Sequence, residues 1–295
     1  MRVLIFGGTG MLGHKLVQRL SPDFEVWTSI RSDFDSVRRL GIFDPARTFD
    51  NLDVTDESAV REAIRTIAPD VVINAVGVIK QLPTSKDVIT TLTVNSIVPQ
   101  RLAQLSQQFD FRLICVSTDC VFLGDRGNYT EDDAADALDL YGRSKYFGEV
   151  SGENCLTLRT SIIGREIATA NSLVEWFLGN RGRSVNGFIN AIYSGFPTIV
   201  LADIISDLIL NHQALNGLYH VSSEAINKFE LLNLINDAFD AKVEISRFDD
   251  FYIDRSLNSN RFSNTTGFRP RSWPEMIREM ADDQTPYEQW RKTKL

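Results

Sequence analysis

The chain opens with Arg2-Val3-Leu4-Ile5-Phe6-Gly7-Gly8-Thr9-Gly10-Met11-Leu12-Gly13, an apolar run that leads directly into a glycine-rich turn. An apolar run of this length is typical of a buried parallel strand. The turn fits G-x-G-x-x-G from Gly8 and the related G-x-x-G-x-x-G from Gly7, and an amphipathic segment follows it. Strand, glycine turn and helix predict a dinucleotide site, because the glycines admit a pyrophosphate whose charge the helix N-terminus meets. An ordinary glycine-rich turn is the alternative.

Strands and helices alternate through the first half of the chain. Amphipathic runs predict helices at about 57–67 and 87–108, whereas a charged linker covers 31–47. The predicted strands after the first are 24–28, 51–54, 71–74, 111–116 and 156–159. This succession predicts an α/β fold, a Rossmann-type doubly wound parallel sheet with right-handed crossovers.

The regular alternation ends near residue 165. Residues 173–178, 202–210 and 229–239 predict helices, and 217–221 predict one more strand. Such fragments indicate a smaller C-terminal lobe that covers the substrate end of a cleft. We therefore expect a dinucleotide-binding domain at residues 1–165 and a substrate-binding lobe at 166–295, with some segments of the second half returning to the first domain.

Composition excludes several classes of function. Of the 295 residues 43% are hydrophobic, an ordinary globular value, and no apolar run is long enough to cross a bilayer. A net charge of −8 without a basic stripe argues against nucleic-acid and membrane partners. Three cysteines without metal spacing and three histidines without a His-x-x-x-His pair argue against a metal site. The first strand leaves no room for a signal peptide, so we expect a cytoplasmic protein.

The segment Tyr141-Gly142-Arg143-Ser144-Lys145 places a phenol and an ammonium one helical turn apart. Residues at i and i+4 share a helix face, so we expect Lys145 to lie near the Tyr141 hydroxyl and to lower its pKa. A tyrosine tuned in this way exchanges a proton with an alcohol or carbonyl oxygen near neutral pH. A solvated helix that carries both residues by chance is the alternative, and the glycine turn weighs against it.

Three segments are expected at one edge of the sheet, since ligands of open α/β sheets lie beyond the carboxyl ends of the strands. They are the glycine turn, Asn74-Ala75-Val76-Gly77 and Ser117-Thr118-Asp119. A hydroxyl at a strand end can hydrogen-bond a substrate oxygen while Tyr141 delivers a proton and a nicotinamide supplies hydride. Donors aimed at that oxygen stabilise the charge that develops on it.

With these motifs the chain resembles the extended short-chain dehydrogenase/reductase family, and within it the dTDP-4-dehydrorhamnose reductase branch, which acts on nucleotide-linked 4-keto sugars. The resemblance spans most of the chain. It is carried by the glycine turn, Asp53-Val54, Asn74-Ala75, Val116-Ser117-Thr118-Asp119-Cys120-Val121-Phe122, Tyr141-Gly142-Arg143-Ser144-Lys145 and Arg159-Thr160-Ser161. It implies Tyr141 as the catalytic acid, Thr118 as the group that orients the keto oxygen, and Lys145 as the residue that tunes Tyr141 and binds the nicotinamide ribose.

The resemblance also implies a cofactor site. Its members are the turn residues Gly7, Thr9, Gly10, Met11, Leu12 and Gly13, Asp53 and Val54 at the adenine, Asn74, Ala75 and Val76 along the cofactor, and Tyr141 and Lys145. Asp53 could equally be the N-cap of the helix that follows it. Arg31-Ser32 favours NADP(H), since an arginine after the second strand accommodates the 2′-phosphate whereas an acid there grips the ribose of NAD(H). A solvated loop arginine is the alternative.

Departures from the family pattern narrow the chemistry. Sugar-nucleotide 4,6-dehydratases carry Asp-Glu after the threonine, whereas this chain has Asp119-Cys120, and a thiol cannot replace the carboxylic acid of an elimination. Cys120 and Ile162 stand where the reductases have tyrosine and, usually, tryptophan. We therefore expect a reshaped sugar pocket that takes a different 6-deoxyhexose, such as an N-acetylated or UDP-linked one. Lys80 either contacts a phosphate or sugar hydroxyl or is a solvated loop lysine.

The resulting hypothesis is an NADPH-dependent reductase of a nucleotide-linked 4-keto-6-deoxysugar that serves surface polysaccharide synthesis. A homodimer is compatible with it, although no apolar stripe predicts one. Two alternatives are open: a nucleotide-sugar epimerase with permanently bound NAD, and a non-catalytic subunit that senses a dinucleotide. The intact trio of Thr118, Tyr141 and Lys145 weighs against the second alternative, because a pure binding protein has no need of it.

Overall fold

The computed structural model describes residues 1–81 and 83–292, which form fourteen strands and twelve α-helices. The strands are β1 (Arg2–Phe6), β2 (Glu25–Ser29), β3 (Thr48–Phe49), β4 (Val71–Asn74), β5 (Arg112–Thr118), β6 (Cys155–Thr160), β7 (Ile162–Ile163), β8 (Ser184–Phe188), β9 (Ala191–Tyr193), β10 (Phe196–Pro197), β11 (Gly217–His220), β12 (Ile226–Asn227), β13 (Glu244–Phe248) and β14 (Ile253–Asp254). The helices are α1 (Gly13–Leu20), α2 (Phe34–Arg38), α3 (Glu57–Ile67), α4 (Val88–Leu92), α5 (Val98–Phe109), α6 (Leu140–Phe147), α7 (Leu173–Leu178), α8 (Thr198–Asn211), α9 (Lys228–Ala238), α10 (Asn260–Thr266), α11 (Trp273–Asp282) and α12 (Tyr287–Lys292).

Seven strands form one central sheet in the order β11-β6-β5-β4-β1-β2-β3. Every neighbouring pair in it is parallel. The chain order reverses between β1 and β4, and a reversal of this kind creates the crevice in which doubly wound sheets bind ligands. The predicted Rossmann-type fold is therefore confirmed, with the glycine turn after β1 and the loop after β4 side by side.

The sheet is buried on both faces, which explains why β1 is apolar throughout. Successive side chains of a strand point to opposite faces, and here Val3 and Ile5 pack into one core cluster while Leu4 and Phe6 pack into the other. All four side chains are fully buried. Each burial contributes about 1.5–3 kcal/mol, so β1 anchors both layers and fixes where the turn after it begins.

The predicted third strand at 51–54 is wrong in position. β3 covers only Thr48–Phe49, which pairs with Thr28 and Ser29 of β2. Asn51 then adopts a left-handed conformation with φ of 50°, which ends the extended run. The charged linker at 31–47 is also partly regular, because it contains α2 and a 3₁₀ turn at Pro45–Arg47.

The predicted helix at 87–108 is interrupted in its middle. α4 and α5 are joined by a π-helical segment at Thr93–Ile97, which contains Asn95. Pro99 lies at the start of α5 and cannot donate a backbone hydrogen bond. Its ring would clash with the carbonyl four residues earlier in a regular helix, and that carbonyl belongs to Asn95. A wider turn at this point relieves the clash, and such π-bulges are frequent at functional sites.

The second half of the chain contributes to the central sheet and to the first core cluster. β11 pairs with β6 in the central sheet, and α8 packs against α1. The remaining strands form small sheets, in which β13 pairs with β8 and β9 lies between β12 and β14. The domain division at residue 165 stays a prediction. Within the described ranges, no helix has both the length and the apolar character needed to span a membrane.

Candidate functional site

The glycine turn after β1 is closed tightly by its own backbone. Gly10 N donates to Gly7 O over 3.0 Å, and Gly7 has a φ of 91°, in the left-handed region that favours glycine. A Cβ on Gly13 would lie 2.0 Å from Gly7 O, so no other residue fits where α1 begins. The side chain of Leu12 is buried in the core, whereas Thr9 is exposed and Met11 is half-buried. The groups of the turn that a ligand can reach are therefore mainly backbone N–H groups at the start of a helix.

The loop after β4 lies directly against this turn. Ala75 N donates to Phe6 O over 3.1 Å, and a Cβ on Gly7 would lie 2.8 Å from Cγ2 of Val76. Asn74 is buried, and its side-chain oxygen accepts from Val76 N over 3.2 Å. The structure thus brings residues 74–76 and the glycine turn together, as expected for the two walls of a dinucleotide site.

The candidate adenine and ribose residues lie at the exposed end of β2 and before α3. Arg31 is exposed and forms no ion pair with any residue in 1–81 or 83–292. Ser32 is also exposed, and its hydroxyl oxygen accepts from Ser36 Oγ over 2.9 Å. Val54 is half-buried against the second core cluster.

Asp53 is not the N-cap of α3, so that alternative is wrong. The cap is Asp56, whose carboxylate accepts from Ser58 N and Ala59 N. Asp53 instead accepts from Thr55 N over 2.9 Å and remains exposed. Its second carboxylate oxygen is therefore available to a ligand at this edge of the sheet.

The three candidate catalytic residues come together at the carboxyl end of β5. Thr118 is the last residue of β5, and its hydroxyl lies near that of Tyr141 on α6 while it donates to Asp119 Oδ1 over 3.1 Å. Lys145 lies one turn later on the same helix, and its Nζ donates to Val116 O over 2.8 Å. Asp139 caps α6 by accepting from Gly142 N over 2.9 Å, so the start of the helix that carries Tyr141 is fixed.

The expectation that Lys145 lowers the pKa of Tyr141 is wrong for this structure. Burial raises the pKa of Tyr141, the neighbouring Cys120 adds to the rise, and the nearby Thr118 hydroxyl only opposes it. Lys145 faces the Val116 carbonyl, and burial lowers its own pKa. Tyr141 is therefore a neutral phenol, the form that can give a proton to a substrate oxygen.

Asn95 joins the cofactor side of the site to the catalytic helix. Its side-chain oxygen accepts from Val78 N over 2.8 Å, and its Nδ2 donates to Val78 O and to Ser144 Oγ, each over 3.0 Å. Ser144 Oγ donates in turn to Tyr141 O over 2.8 Å. The sequence predicts a helix around Asn95 but indicates no role for this residue. Its role depends on the π-helical segment Thr93–Ile97, which only the structure reveals.

Asp119 and Cys120 follow Thr118 and border Tyr141. Burial raises the pKa of Asp119, and the charge of Arg255 opposes that rise. Arg255 also donates through a guanidinium nitrogen to Cys120 Sγ over 3.6 Å. Burial raises the pKa of Cys120 to about 11, so its thiol is neutral at physiological pH. The pocket wall beside Tyr141 therefore holds one buried carboxyl group and one uncharged thiol.

Lys228 is a further residue of this wall that no sequence pattern revealed. It begins α9, and its Nζ lies 4.0 Å from the centre of the Tyr193 ring. Burial lowers the pKa of Lys228 to about 8, and the charge of Asp119 opposes that fall. Lys228 and Asp119 are far apart in the chain, so only the folded lobe brings them together.

Lys80 lies over the Tyr141 ring and is not merely solvated. Its Nζ is 5.5 Å from the ring centre and donates to Asp139 Oδ2 over 2.8 Å. Ile162, the other expected pocket residue, begins β7 just beyond the end of β6 and pairs with Phe196. It is half-buried, and Thr160 before it pairs with Thr118.

A buried ion pair lies next to the end of β5, beside the candidate catalytic residues. Arg159 donates through Nε and NH2 to the two carboxylate oxygens of Glu149, over 2.7 and 2.6 Å. Ser117 Oγ donates to the same carboxylate over 2.7 Å, and His220 Nε2 lies 3.2 Å from an Arg159 nitrogen. Fully satisfied networks of this kind hold the ends of neighbouring strands rigid. Here they hold the end of β5, where Thr118 begins the catalytic edge.

Comparison with known proteins gives a consistent result over most of the chain. A family model described as the RmlD substrate binding domain matches residues 1–285. The chain is 32% identical to the "Probable dTDP-4,6-dihydroxy-2-methyloxan-3-one 4-ketoreductase" of Streptomyces antibioticus over 232 residues, 76% of this chain and 72% of that protein. It is 26% identical to methionine adenosyltransferase 2 subunit beta of Danio rerio over 250 residues, 81% of this chain and 74% of that protein.

A solved structure shares the whole architecture. The dTDP-4-dehydrorhamnose reductase of Bacillus anthracis, determined in complex with NADP, superposes with a TM-score of 0.78 at 25% sequence identity. The match covers 95% of this chain and 98% of that one. The likeness therefore includes the C-terminal lobe as well as the central sheet.

Proposed function

Because the chain belongs to the RmlD substrate binding domain family, we propose that it reduces a nucleotide-linked 4-keto-6-deoxysugar with NADPH in surface polysaccharide synthesis. It is an oxidoreductase of the extended short-chain dehydrogenase/reductase type. The observation that carries the proposal is the neutral phenol of Tyr141, which lies beside Thr118 at the edge of the sheet where the glycine turn also ends.

The residues around the glycine turn fit a dinucleotide. The turn leaves no room for a side chain at Gly13, and residues 74–76 form a wall beside it. Arg31 is exposed and unpaired within the described ranges, as a group that receives the 2′-phosphate of NADPH must be. The relative from Bacillus anthracis was solved with NADP, which supports the same choice. When bound, the reduced nicotinamide supplies the hydride.

Tyr141 performs the proton transfer in this proposal. Its hydroxyl holds a proton, because burial raises its pKa, and gives that proton to the keto oxygen of the sugar. Thr118 orients the same oxygen, and hydroxyl groups aimed at it stabilise the negative charge that develops there. Lys145, whose Nζ donates to Val116 O, would bind the nicotinamide ribose. Lys80, Asp119, Cys120 and Ile162 surround the sugar, together with Lys228.

Dehydration is not part of the proposal. An elimination needs a second acid beside the threonine, and the residue after Asp119 is a thiol whose pKa is raised to about 11. Reduction needs only one proton donor, which Tyr141 provides. A homodimer and a cytoplasmic location stay predictions.

The first test is the loss of reduced-nicotinamide absorbance with NADPH and then with NADH. The substrates are dTDP-, UDP- and GDP-linked 4-keto-6-deoxysugars, freshly generated by dehydratases, with and without a partner epimerase. Oxidation of NADPH with one of them establishes the reductase and its nucleotide. Tight cofactor binding without oxidation on any substrate contradicts the proposal.

Tyr141→Phe tests the mechanism. We expect the variant to bind NADPH normally and to lose activity by about 10²–10⁴-fold, since that is the usual contribution of a positioned acid. Tyr146→Phe is the matched control, because Tyr146 lies on the same helix and is 44% exposed. Equal loss in both variants, or none in Tyr141→Phe, is incompatible with the assigned role.

Two other functions remain to be separated by the same assays. An epimerase would purify with bound NAD and would show no net consumption of NADPH. A non-catalytic subunit is suggested by the similarity to methionine adenosyltransferase 2 subunit beta. It would bind a dinucleotide and turn over no sugar, and Tyr141→Phe would leave its function unchanged.

A further inference from the structure

The last helix of the chain reaches the glycine turn through two buried side chains. His14, the second residue of α1, has its Nδ1 2.8 Å from Gly10 O and its Nε2 2.7 Å from the Tyr287 hydroxyl of α12. Both His14 and Tyr287 are at most 2% exposed. A continuous line of hydrogen bonds therefore runs from the C-terminal helix to the middle of the turn.

The direction of each hydrogen bond in this line is fixed. Burial lowers the pKa of His14 to about 4, so the imidazole is neutral at physiological pH. A carbonyl oxygen can only accept, so Nδ1 carries the hydrogen and donates to Gly10 O. Nε2 of a neutral imidazole then has only a lone pair, and the Tyr287 hydroxyl donates to it.

The carbonyl of Gly10 sets the direction of the next backbone N–H. Gly10 O also accepts from the backbone N–H of His14 over 3.1 Å, so it is drawn towards the body of α1. The peptide bond between Gly10 and Met11 is planar and trans, in which C=O and N–H point in opposite directions. Fixing Gly10 O therefore aims the Met11 N–H away from His14, out of the turn.

Tyr287 is itself held firmly by charged groups on several elements. Lys15 of α1 forms an ion pair with Asp283 and donates to Thr285 Oγ1 over 2.8 Å. The guanidinium carbon of Arg165 lies 4.8 Å from the centre of the Tyr287 ring. Arg165 also donates hydrogen bonds to the carboxylates of Glu175 on α7 and Glu288 on α12. These contacts keep the phenol within reach of His14.

We propose that Tyr287 and His14 are positioning residues for the cofactor, because Tyr287 fixes the His14 ring and thereby holds Gly10 O and the Met11 N–H in the orientation that receives a pyrophosphate. This inference rests on the proposed binding of NADPH at the turn. A turn that is ordered in advance does not pay for ordering when the ligand binds. Loss of the Tyr287 hydroxyl transfers that cost to the binding step.

The test measures NADPH affinity by the fluorescence of the reduced nicotinamide, together with steady-state kinetics. Tyr287→Phe is expected to raise the Kd and KM for NADPH about fivefold or more, while kcat and the KM for the sugar change less than about twofold. Trp290→Phe is the matched control: Trp290 packs on Tyr287 from the same helix but makes no hydrogen bond or ring contact with His14. A Kd in Tyr287→Phe equal to that of the control overturns the proposal.

A double-mutant cycle separates positioning from general support. His14→Ala should raise the Kd at least as much as Tyr287→Phe, and the double variant should be no worse than His14→Ala, since the phenol acts only through the ring. Additive effects on the Kd contradict this. Thermal unfolding of each variant shows whether the proteins compared are folded.

A measurement on the unaltered protein keeps the proposal testable if a variant fails to fold. Nitrogen NMR of His14 must report the tautomer with hydrogen on Nδ1, both without cofactor and with NADPH, and the opposite tautomer overturns the proposal. Failure of the proposed function is distinguishable, because the unaltered protein would then either bind no NADPH or bind it without reducing any sugar, and neither result depends on Tyr287. If it binds NADPH and Tyr287→Phe binds equally well, only the positioning role is lost.

Discussion

The side-chain amide of Asn95 donates to the Ser144 hydroxyl over 3.0 Å. One residue of a π-bulge thus holds the helix that carries Tyr141 and Lys145. The same side chain satisfies both backbone groups of Val78, at the end of the loop that forms one wall of the cofactor site. The loop after β4 and the helix α6 are therefore fixed relative to each other by a single amide.

Asn95→Ala should lower both stability and turnover. The buried N–H and C=O of Val78 lose their partner, which costs about 1–3 kcal/mol in unfolding free energy, and the start of α6 loses a restraint. Denaturant unfolding and kcat are the measurements. Gln100→Ala is the control, because Gln100 is exposed and bonds only carbonyls at the far end of α6. If Asn95→Ala behaves like Gln100→Ala, the amide does not hold the site.

The pH dependence of kcat/KM should reflect Lys228. Its pKa is lowered to about 8, so the ammonium beside Asp119 is lost as pH rises through that value, and activity that uses the charge falls. Cys120 cannot produce this fall, since its pKa is raised to about 11. Lys228→Met should remove the falling limb, whereas Lys242→Met, at an exposed lysine, should keep it. If the fall in kcat/KM near pH 8 persists in Lys228→Met, another group causes it.

The lowered pKa of Lys228 also affects stability with a definite sign. An unfolded chain has a lysine pKa of about 10.4, so between about pH 8 and that value the unfolded state binds more protons than the folded one. Below about pH 8 the burial of the Lys228 ammonium lowers the unfolding free energy by its full amount. This loss of unfolding free energy becomes smaller as pH rises through the window. Comparison of unfolding free energies of the unaltered protein and Lys228→Met across the window checks the sign.

Glu149→Gln should destabilise the protein strongly. The side chains of Arg159 and Glu149 are only 3% and 9% exposed, so removal of the carboxylate leaves a buried guanidinium without its counter-charge. Breaking such a pair costs about 3–5 kcal/mol. Glu153→Gln is the control, since Glu153 is an exposed residue of the same loop. A loss below about 1 kcal/mol in chemical denaturation would mean that Arg159 finds another partner.

Arg31→Ala should change the choice of cofactor. An arginine that meets the 2′-phosphate contributes nothing to a cofactor without that group, so the KM for NADPH should rise about tenfold and the KM for NADH should stay constant. Arg38→Ala, at an exposed arginine paired with Asp35, should change neither. Parallel changes with both cofactors would show that Arg31 does not read the 2′-phosphate.

Local patterns in the sequence predicted most of the central sheet. The apolar run at 2–6 and the glycines at 7–13 carry their own geometry, because a buried parallel strand and a tight phosphate-binding turn each demand particular residues at short spacing. β3 was misplaced because its two residues are half-buried and offer no apolar run, whereas Leu52 in the loop after it is buried.

The site was predictable only where its residues are near one another in the chain. Tyr141 and Lys145 share one helix turn, so their proximity follows from periodicity. The pKa of Tyr141 could not be inferred in this way, because it is set mainly by burial, which depends on the tertiary structure. Lys228 and Arg255 could not be recognised from the sequence, since their meeting with Asp119 and Cys120 depends on how the second half of the chain folds back over the sheet.

β11, the strand that pairs with β6 at the edge of the central sheet, is synthesised long after β6. All six residues of β6 are buried, and its outer edge pairs with residues 217–220, beyond which Val221 N donates to Arg159 O over 2.8 Å. A chain that emerges from the ribosome must therefore hold this apolar edge unpaired while about sixty further residues are synthesised. Unpaired strand edges recruit other strands and cause aggregation. Solubility during expression thus depends on the second half of the chain, and destabilising changes around 217–220 should appear first as poor yield and only later as lost activity.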